Sequence, residues 1–247
     1  MLTYIEDEIT VILTVWKRDN YRLQLQHIIN QTKKPYQIWI YQNESHVNVD
    51  ISESEKKEFN ISIIQSKDIN FKFHGRFALP LLCDTEYTAI FDDDTIPQSR
   101  WLENCLSTSK RNNCIVGANG RTLNKQLQEA HSLGDGYAIE DETKVDFVGH
   151  CWFFKTEWCK NLWKDRPFSW DNGEDIHFAA SCKIYEDINC FVPSMPSNDH
   201  SLWGDTMVAL GMDDYATYRK NDHGILREKI IKHWVEKGWK HIYWNDE

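Results

Sequence analysis

The chain has 247 residues, 41% of them hydrophobic, and a formal net charge of −10. That length and apolar fraction suit one α/β domain with a sizeable core, so a single domain over residues 1–247 is expected. The acidic balance argues against nucleic acid as a partner, because counterion release needs clustered Lys and Arg, whereas a small anion remains compatible if a metal bridges it to carboxylates.

Residues 9–16 (ITVILTVW) form a continuous apolar, β-branched run, which predicts a strand buried on both faces. A helix follows with Tyr21, Leu25, Ile28 and Ile29 on one face, capped by Asp19 or Asn20 and stopped at Lys33-Lys34-Pro35. Residues 37–42 and 61–66 read as the next two strands, with a polar loop or short helix over 43–60 between them. Strand, helix, strand, loop and strand in this order is a nucleotide-binding arrangement.

Residues 87–97 (YTAIFDDDTIP) carry the strongest chemical signal. An apolar run delivers Asp92, Asp93 and Asp94 into a turn closed by Pro97. Adjacent carboxylates raise one another's pKa, so a hard divalent cation would relieve their repulsion. An isolated acidic run is commonly a solvated turn, but this one lies beyond a strand's carboxyl end, where open α/β sheets bind ligands.

Pro97 is expected to start a helix bearing Trp101, Leu102, Cys105 and Leu106, and 114–118 to form a short strand. Residues 121–142, with Gly134-Asp135-Gly136, predict an exposed, mobile loop, and 145–155 (VDFVGHCWFFK) a further strand. Glu174 and Asp175 open a helix whose face carries Ile176, Ala179 and Ala180. A strand over 188–193, a loop over 194–205 and a terminal helix over 224–237 complete the chain. Arg227, Lys229, Lys232 and Lys237 are read as a solvated face of that helix, with membrane-surface contact as the alternative. The seven cysteines lack zinc-site spacing and are expected to be reduced core residues. No transmembrane segment is visible in the sequence, and a cytoplasmic, soluble protein with peripheral membrane association as an option is expected.

FDDDTIP resembles the D-x-D motif of glycosyltransferases of the GT-A fold, the opening over residues 9–45 resembles their nucleotide-binding start, and Gly173-Glu174-Asp175 is similar to their x-E-D motif. The resemblance is closest to family 2-like enzymes and to the exostosin-type C-terminal domain. It implies an α/β GT-A fold, with a Rossmann-like, mostly parallel central sheet flanked by helices. The nucleotide-binding part would cover about 1–120, the acceptor part about 121–205, and a C-terminal helix and tail 206–247. It further implies a metal-dependent transfer of sugar from a nucleotide-diphosphate sugar, most simply a UDP-sugar, to a glycan acceptor hydroxyl.

Under that resemblance Asp94 and Asp92 hold Mn²⁺ or Mg²⁺, with His200 as a further ligand. Thr14, Trp16, Arg18, Arg76, Asp92 and Asp93 contact the nucleotide sugar, and guanidinium forks suit diphosphate oxygens. Asp175, then Glu174, is the candidate base for the acceptor hydroxyl, with inversion the expected outcome. Both carboxylates are also explained by stabilisation of a helix N-terminus. Trp170 and Trp203 are the candidates for stacking on acceptor sugars, although large aromatics are commonly core residues. Two rivals stand beside this reading. One is a non-catalytic sugar-binding module. The other is an aspartate-dependent phosphohydrolase, whose motif wants Thr or Val where this chain has Ile96.

Overall fold

The structure is a computed structural model that describes residues 3–205 and 207–243. Its first half follows the apolar runs. Strands β1 (Ile5–Val15), β2 (Gln37–Asn43), β3 (Ile61–Ser66) and β4 (Thr85–Phe91) alternate with helices α1 (Tyr21–Ile29) and α2 (Glu53–Phe59). These four strands pair in parallel in the order β3-β2-β1-β4. Ile9, Val11, Ile12 and Leu13 of β1 are all fully buried, as a central strand covered on both faces requires. Ser52 and Glu55 close a reciprocal capping box at the start of α2.

The second half contains α3 (Trp101–Asn112), β5 (Ile115–Leu123), β6 (Glu129–Leu133), β7 (Thr143–Val145), β8 (Phe147–Lys155), α4 (Cys159–Leu162), α5 (Glu174–Glu186), β9 (Cys190–Val192) and α6 (His223–Glu236). The described residues form a nine-stranded sheet in the order β3-β2-β1-β4-β8-β5-β9-β7, with β6 added on β5. The protein is therefore α/β with a mixed sheet flanked by helices.

The expectation of a mostly parallel sheet is corrected by β8, which lies between β4 and β5 and runs against both. The β5–β6 and β7–β9 pairs are antiparallel too, while β5 and β9 are parallel. Antiparallel neighbours need no helical crossover, so the short segments after β5 pair without one.

Three local expectations also change. Residues 121–142 contain the end of β5 and all of β6, with the Asn124 side chain accepting N–H bonds from Gln126 and Gln128 to make the turn. Helix α3 begins at Trp101 rather than Pro97, because the intervening backbone donates instead to Trp203 and Ser201 carbonyls. Asn20 makes no cap bond to α1; its amide donates to the Asp93 carbonyl at 3.0 Å and ties the helix start to the acidic turn.

Trp101, Trp234, Trp239, Phe153 and Phe154 are among the largest fully buried side chains, and Trp152 and Trp158 are buried beside them. Each such side chain contributes roughly 1.5–3 kcal/mol by burial, so most of the aromatic surplus serves the core rather than an acceptor surface. All seven cysteines are buried and unbridged. Among the described residues no helix is long and apolar enough to cross a membrane.

Candidate functional site

A cleft of about 480 Å³ opens at the carboxyl ends of β1, β2 and β4. It brings together three segments far apart in sequence: Thr14, Trp16 and Arg18 after β1, Asp92, Asp93 and Asp94 after β4, and Glu174 and Asp175 at the start of α5. The position follows from topology. β1 connects to β2 on one side and pairs with β4 on the other, which leaves a crevice where the connections diverge.

At the acidic turn after β4 the three Asp side chains are not equivalent. Asp93 accepts from Arg18 Nη1 at 2.5 Å, and Asp94 Oδ2 lies 3.0 Å from the same nitrogen. Burial pushes the Asp93 carboxyl up to about 7 despite the Arg18 charge. Asp94 is also raised, first by burial and then by the Asp92 charge. Arg18 therefore offsets only part of the repulsion. The Thr14 hydroxyl is buried without a hydrogen-bond partner among the described residues. Trp16 donates to Glu44 at 2.9 Å, which fixes its indole on the cleft wall.

Arg76 lines the cleft with its guanidinium already engaged by carboxylates. Its side chain is 5% exposed, packs over Trp152 at 4.6 Å, and bridges two carboxylates, Asp92 through Nη1 and Glu174 through Nη2 at 2.9 Å. It joins the acidic turn to the first residue of α5.

Glu174 and Asp175 differ in the same way. Burial, then the neighbouring Asp175 charge, lifts Glu174 to about 7, while Arg76 opposes the rise. Asp175 is held below the ordinary carboxylate range: burial acts to raise it, but Arg227 of α6 outweighs that effect. Arg227 grips Asp175 with both nitrogens, at 2.8 and 3.1 Å, and also pairs with Glu129 of β6 at 2.5 Å. Arg227 was read from sequence as part of a solvated face, and this is a correction. It sits three residues before Ile230 and seven before Trp234, both buried, so helical spacing places it on the inward side.

His150 was missed altogether. The β5–β8 register slips by one residue beside it, and it adopts φ +64°. Such a bulge re-aims a side chain out of the ladder. The His150 carbonyl accepts from Asp92 N at 3.0 Å and from Thr95 Oγ1 at 2.9 Å, and its Nδ1 lies 3.5 Å from Asp205. Burial would lower its pKa, but the Asp205 hydrogen bond and the nearby Asp92 and Asp94 charges carry it up to about 9. The signal available in the sequence was the polar pair Gly149-His150 interrupting an apolar strand.

Three predicted site residues do not line the cleft. Trp203 is buried, its indole donating to the Pro196 carbonyl at 2.9 Å. His200 lies against the Trp203 ring at 4.6 Å, away from the residues that line the cleft. Trp170 is 41% exposed and meets His74 edge-on at 5.0 Å, outside the lining but next to Asp171, which belongs to it.

Among the described residues no group of three or more His, Cys, Asp or Glu side chains is arranged to hold a metal ion. Asp92 and Asp94 line the cleft as hard-oxygen donors on either side of Asp93, whose carboxylate is taken by Arg18. This donor set does not make a self-sufficient cage, but it fits Mg²⁺ or Mn²⁺ shared with a ligand's phosphates, which need only one or two carboxylates. No protein-family model matches the chain, and no curated protein matches it either.

Proposed function

We propose that the protein is a metal-dependent glycosyltransferase of the GT-A fold, moving a sugar from a nucleotide-diphosphate sugar, most simply a UDP-sugar, to a hydroxyl of a glycan acceptor. The observation that carries this reading is the convergence of the β1 end, the Asp92-Asp93-Asp94 turn and the Glu174-Asp175 helix start on one cleft. Arg18 offers a guanidinium to diphosphate oxygens, and Trp16 an aromatic wall beside it. Asp92 and Asp94 are the residues that would hold Mn²⁺ or Mg²⁺, which would supply positive charge to the leaving diphosphate.

On the acceptor side the two carboxylates divide the work. Asp175 has both oxygens engaged by Arg227 and a further N–H bond from Ile176 at 2.8 Å. Glu174 is engaged by Arg76 through a single oxygen and titrates near neutrality, which suits proton transfer from the acceptor hydroxyl. Glu174 is therefore the preferred base and Asp175 the ionised anchor that fixes the helix start. A base on the acceptor hydroxyl favours inversion.

The rival reading is a sugar-binding module without catalysis, favoured by the exposure of Trp170 at the cleft margin. The test is transfer or hydrolysis of a panel of nucleotide sugars with Mn²⁺ or Mg²⁺, comparing wild type with Asp94→Ala and Glu174→Gln. Loss of turnover in both variants supports the proposal. Full activity of Asp94→Ala, or absence of any nucleotide binding by the wild type, overturns it.

A further inference from the structure

Residues 207–222 lie across the donor side of the cleft, and Gly211, Met212, Tyr215 and Lys220 contribute to its lining. This strap contains two 3-10 turns, Val208–Gly211 and Thr217–Arg219. Among its described side chains Ala216 is buried, whereas Met207, Met212, Tyr215 and Tyr218 are 41–56% exposed. Several polar and aromatic contacts join the strap to the donor wall, Lys17 over the Tyr215 ring at 5.3 Å among them. Asp213 pairs with Arg18, Tyr215 meets Trp16 edge-on at 6.4 Å, and the Gly211 backbone lies so close to Asp94 that a Cβ there would sit 2.7 Å from Oδ2.

The Arg18 contact has a recognisable form. Nη1 faces Asp93 and Asp94, while Nε and Nη2 are taken together by the two oxygens of Asp213, at 2.7 and 2.8 Å. This is the two-pronged geometry by which a guanidinium binds either a carboxylate or a phosphate. One positive charge thus serves three carboxylates, in a cleft already rich in negative charge.

We infer that the Nε–Nη2 edge of Arg18 is the subsite for one phosphate of a nucleoside diphosphate, and that Asp213 occupies this edge as an internal carboxylate, latching the strap until the ligand displaces it. The inference rests on the donor-site reading above and adds regulation to it. A diphosphate presents equivalent oxygens and more charge than Asp213, so it competes for the edge. A nucleoside without phosphates has nothing to offer there. The Asp213 side chain is 36% exposed, and solvent screening keeps the latch weak enough to be displaced.

The test compares wild type with Asp213→Asn and with Asp214→Asn. Asp214 is the charge-matched control, because its carboxylate is 99% exposed and contacts Arg219 rather than Arg18. UDP in the presence of Mn²⁺ is titrated by calorimetry. Asp213→Asn is expected to bind UDP about five- to tenfold more tightly than wild type, and Asp214→Asn to bind with wild-type affinity. Without ligand, trypsin is expected to cut Asp213→Asn faster after Arg219 and Lys220. An unchanged UDP affinity in Asp213→Asn, an equal gain in Asp214→Asn, or an unchanged cleavage rate in Asp213→Asn overturns the latch. Absence of UDP binding in all three proteins overturns the donor-site reading and the ligand assigned here; the cleavage rate needs no ligand and separates that failure from failure of the latch.

Discussion

Arg227 of α6 closes on Asp175 at the start of α5, Nη2 to Oδ2 at 2.8 Å and Nη1 to Oδ1 at 3.1 Å. Both side chains are nearly buried, so removing Arg227 strips Asp175 of its nearest counter-charge and Glu129 of its partner. Arg227→Ala is expected to destabilise the protein by about 2–4 kcal/mol in chemical denaturation. The double variant Arg227→Met with Asp175→Asn should recover part of that loss, since it removes both charges together. Strictly additive losses would show that the two residues act independently.

The proposed proton transfer to Glu174 predicts a pH profile. With its pKa lifted to about 7 by burial and by Asp175, the carboxyl is protonated and inactive as a base in acid, and kcat/KM should rise through about pH 7 to a plateau. Glu174→Gln should lower turnover about 10²- to 10⁴-fold and abolish that limb. If Asp175→Asn rather than Glu174→Gln removed the limb, the roles of the two carboxylates would be exchanged.

Stability in alkaline solution depends on His150. Its folded pKa is raised, so its contribution is complete below the unfolded value of 6.5 and is lost as pH rises through about 9. Asp93 and Glu174 are also raised, and their protonated forms lose population towards pH 7, which acts in the same direction. Buried His74 and His177 are depressed to about 4 and about 3 by burial, so their opposing effect is confined to acid, below 6.5. The melting temperature should therefore fall between pH 7 and pH 9.5. Because His150 is 32% exposed, its share is below about 2 kcal/mol. His150→Gln should flatten the curve over this window.

Gly173 is placed where only glycine fits. It has φ +82°, and a Cβ there would lie 2.5 Å from Ile230 Cδ1 of α6. Gly173→Ala is expected to cost about 1–3 kcal/mol in thermal or denaturant unfolding, through strain and a clash in a packed contact. Shortening the neighbour in Gly173→Ala/Ile230→Val should relieve the clash but not the backbone strain.

Metal response should require the nucleotide. Two carboxylates without a third protein donor form a weak site, so millimolar Mn²⁺ alone should leave the melting temperature nearly unchanged. Mn²⁺ with UDP should raise it, and Asp94→Ala should remove the rise. A full shift with Mn²⁺ alone would point to a protein cage that this donor set does not provide.

Much of this architecture can be read in the chain. The β-branched run of β1, the acidic turn after β4 and the carboxylates opening α5 each announce themselves by local pattern, and they meet because parallel strands present their carboxyl ends together. What local pattern conceals is anything decided by register or by the far partner. His150 faces the acidic turn only because β8 slips by one residue against β5. Trp203, in a loop rich in polar residues, is carried inward by the segment that holds it, which accepts from the Gln98 backbone N–H and the Asn104 side-chain amide. Arg76 reads as a free guanidinium until its two carboxylates, sixteen and ninety-eight residues away, are seen to share it.

The seven buried cysteines give the molecule an internal clock. Burial raises every thiol whose environment is resolved, Cys83 to about 11 and Cys114 to about 12, so in the native state almost no thiolate is available to react. They are spread from Cys83 before β4 through α3, Cys114 before β5, β8 and α4 to α5 and β9, so no single fraying end uncovers them all. Labelling by a thiol reagent at neutral pH is then a measure of opening: residues that react early mark elements that part first, and those that react last report the lifetime of the whole fold.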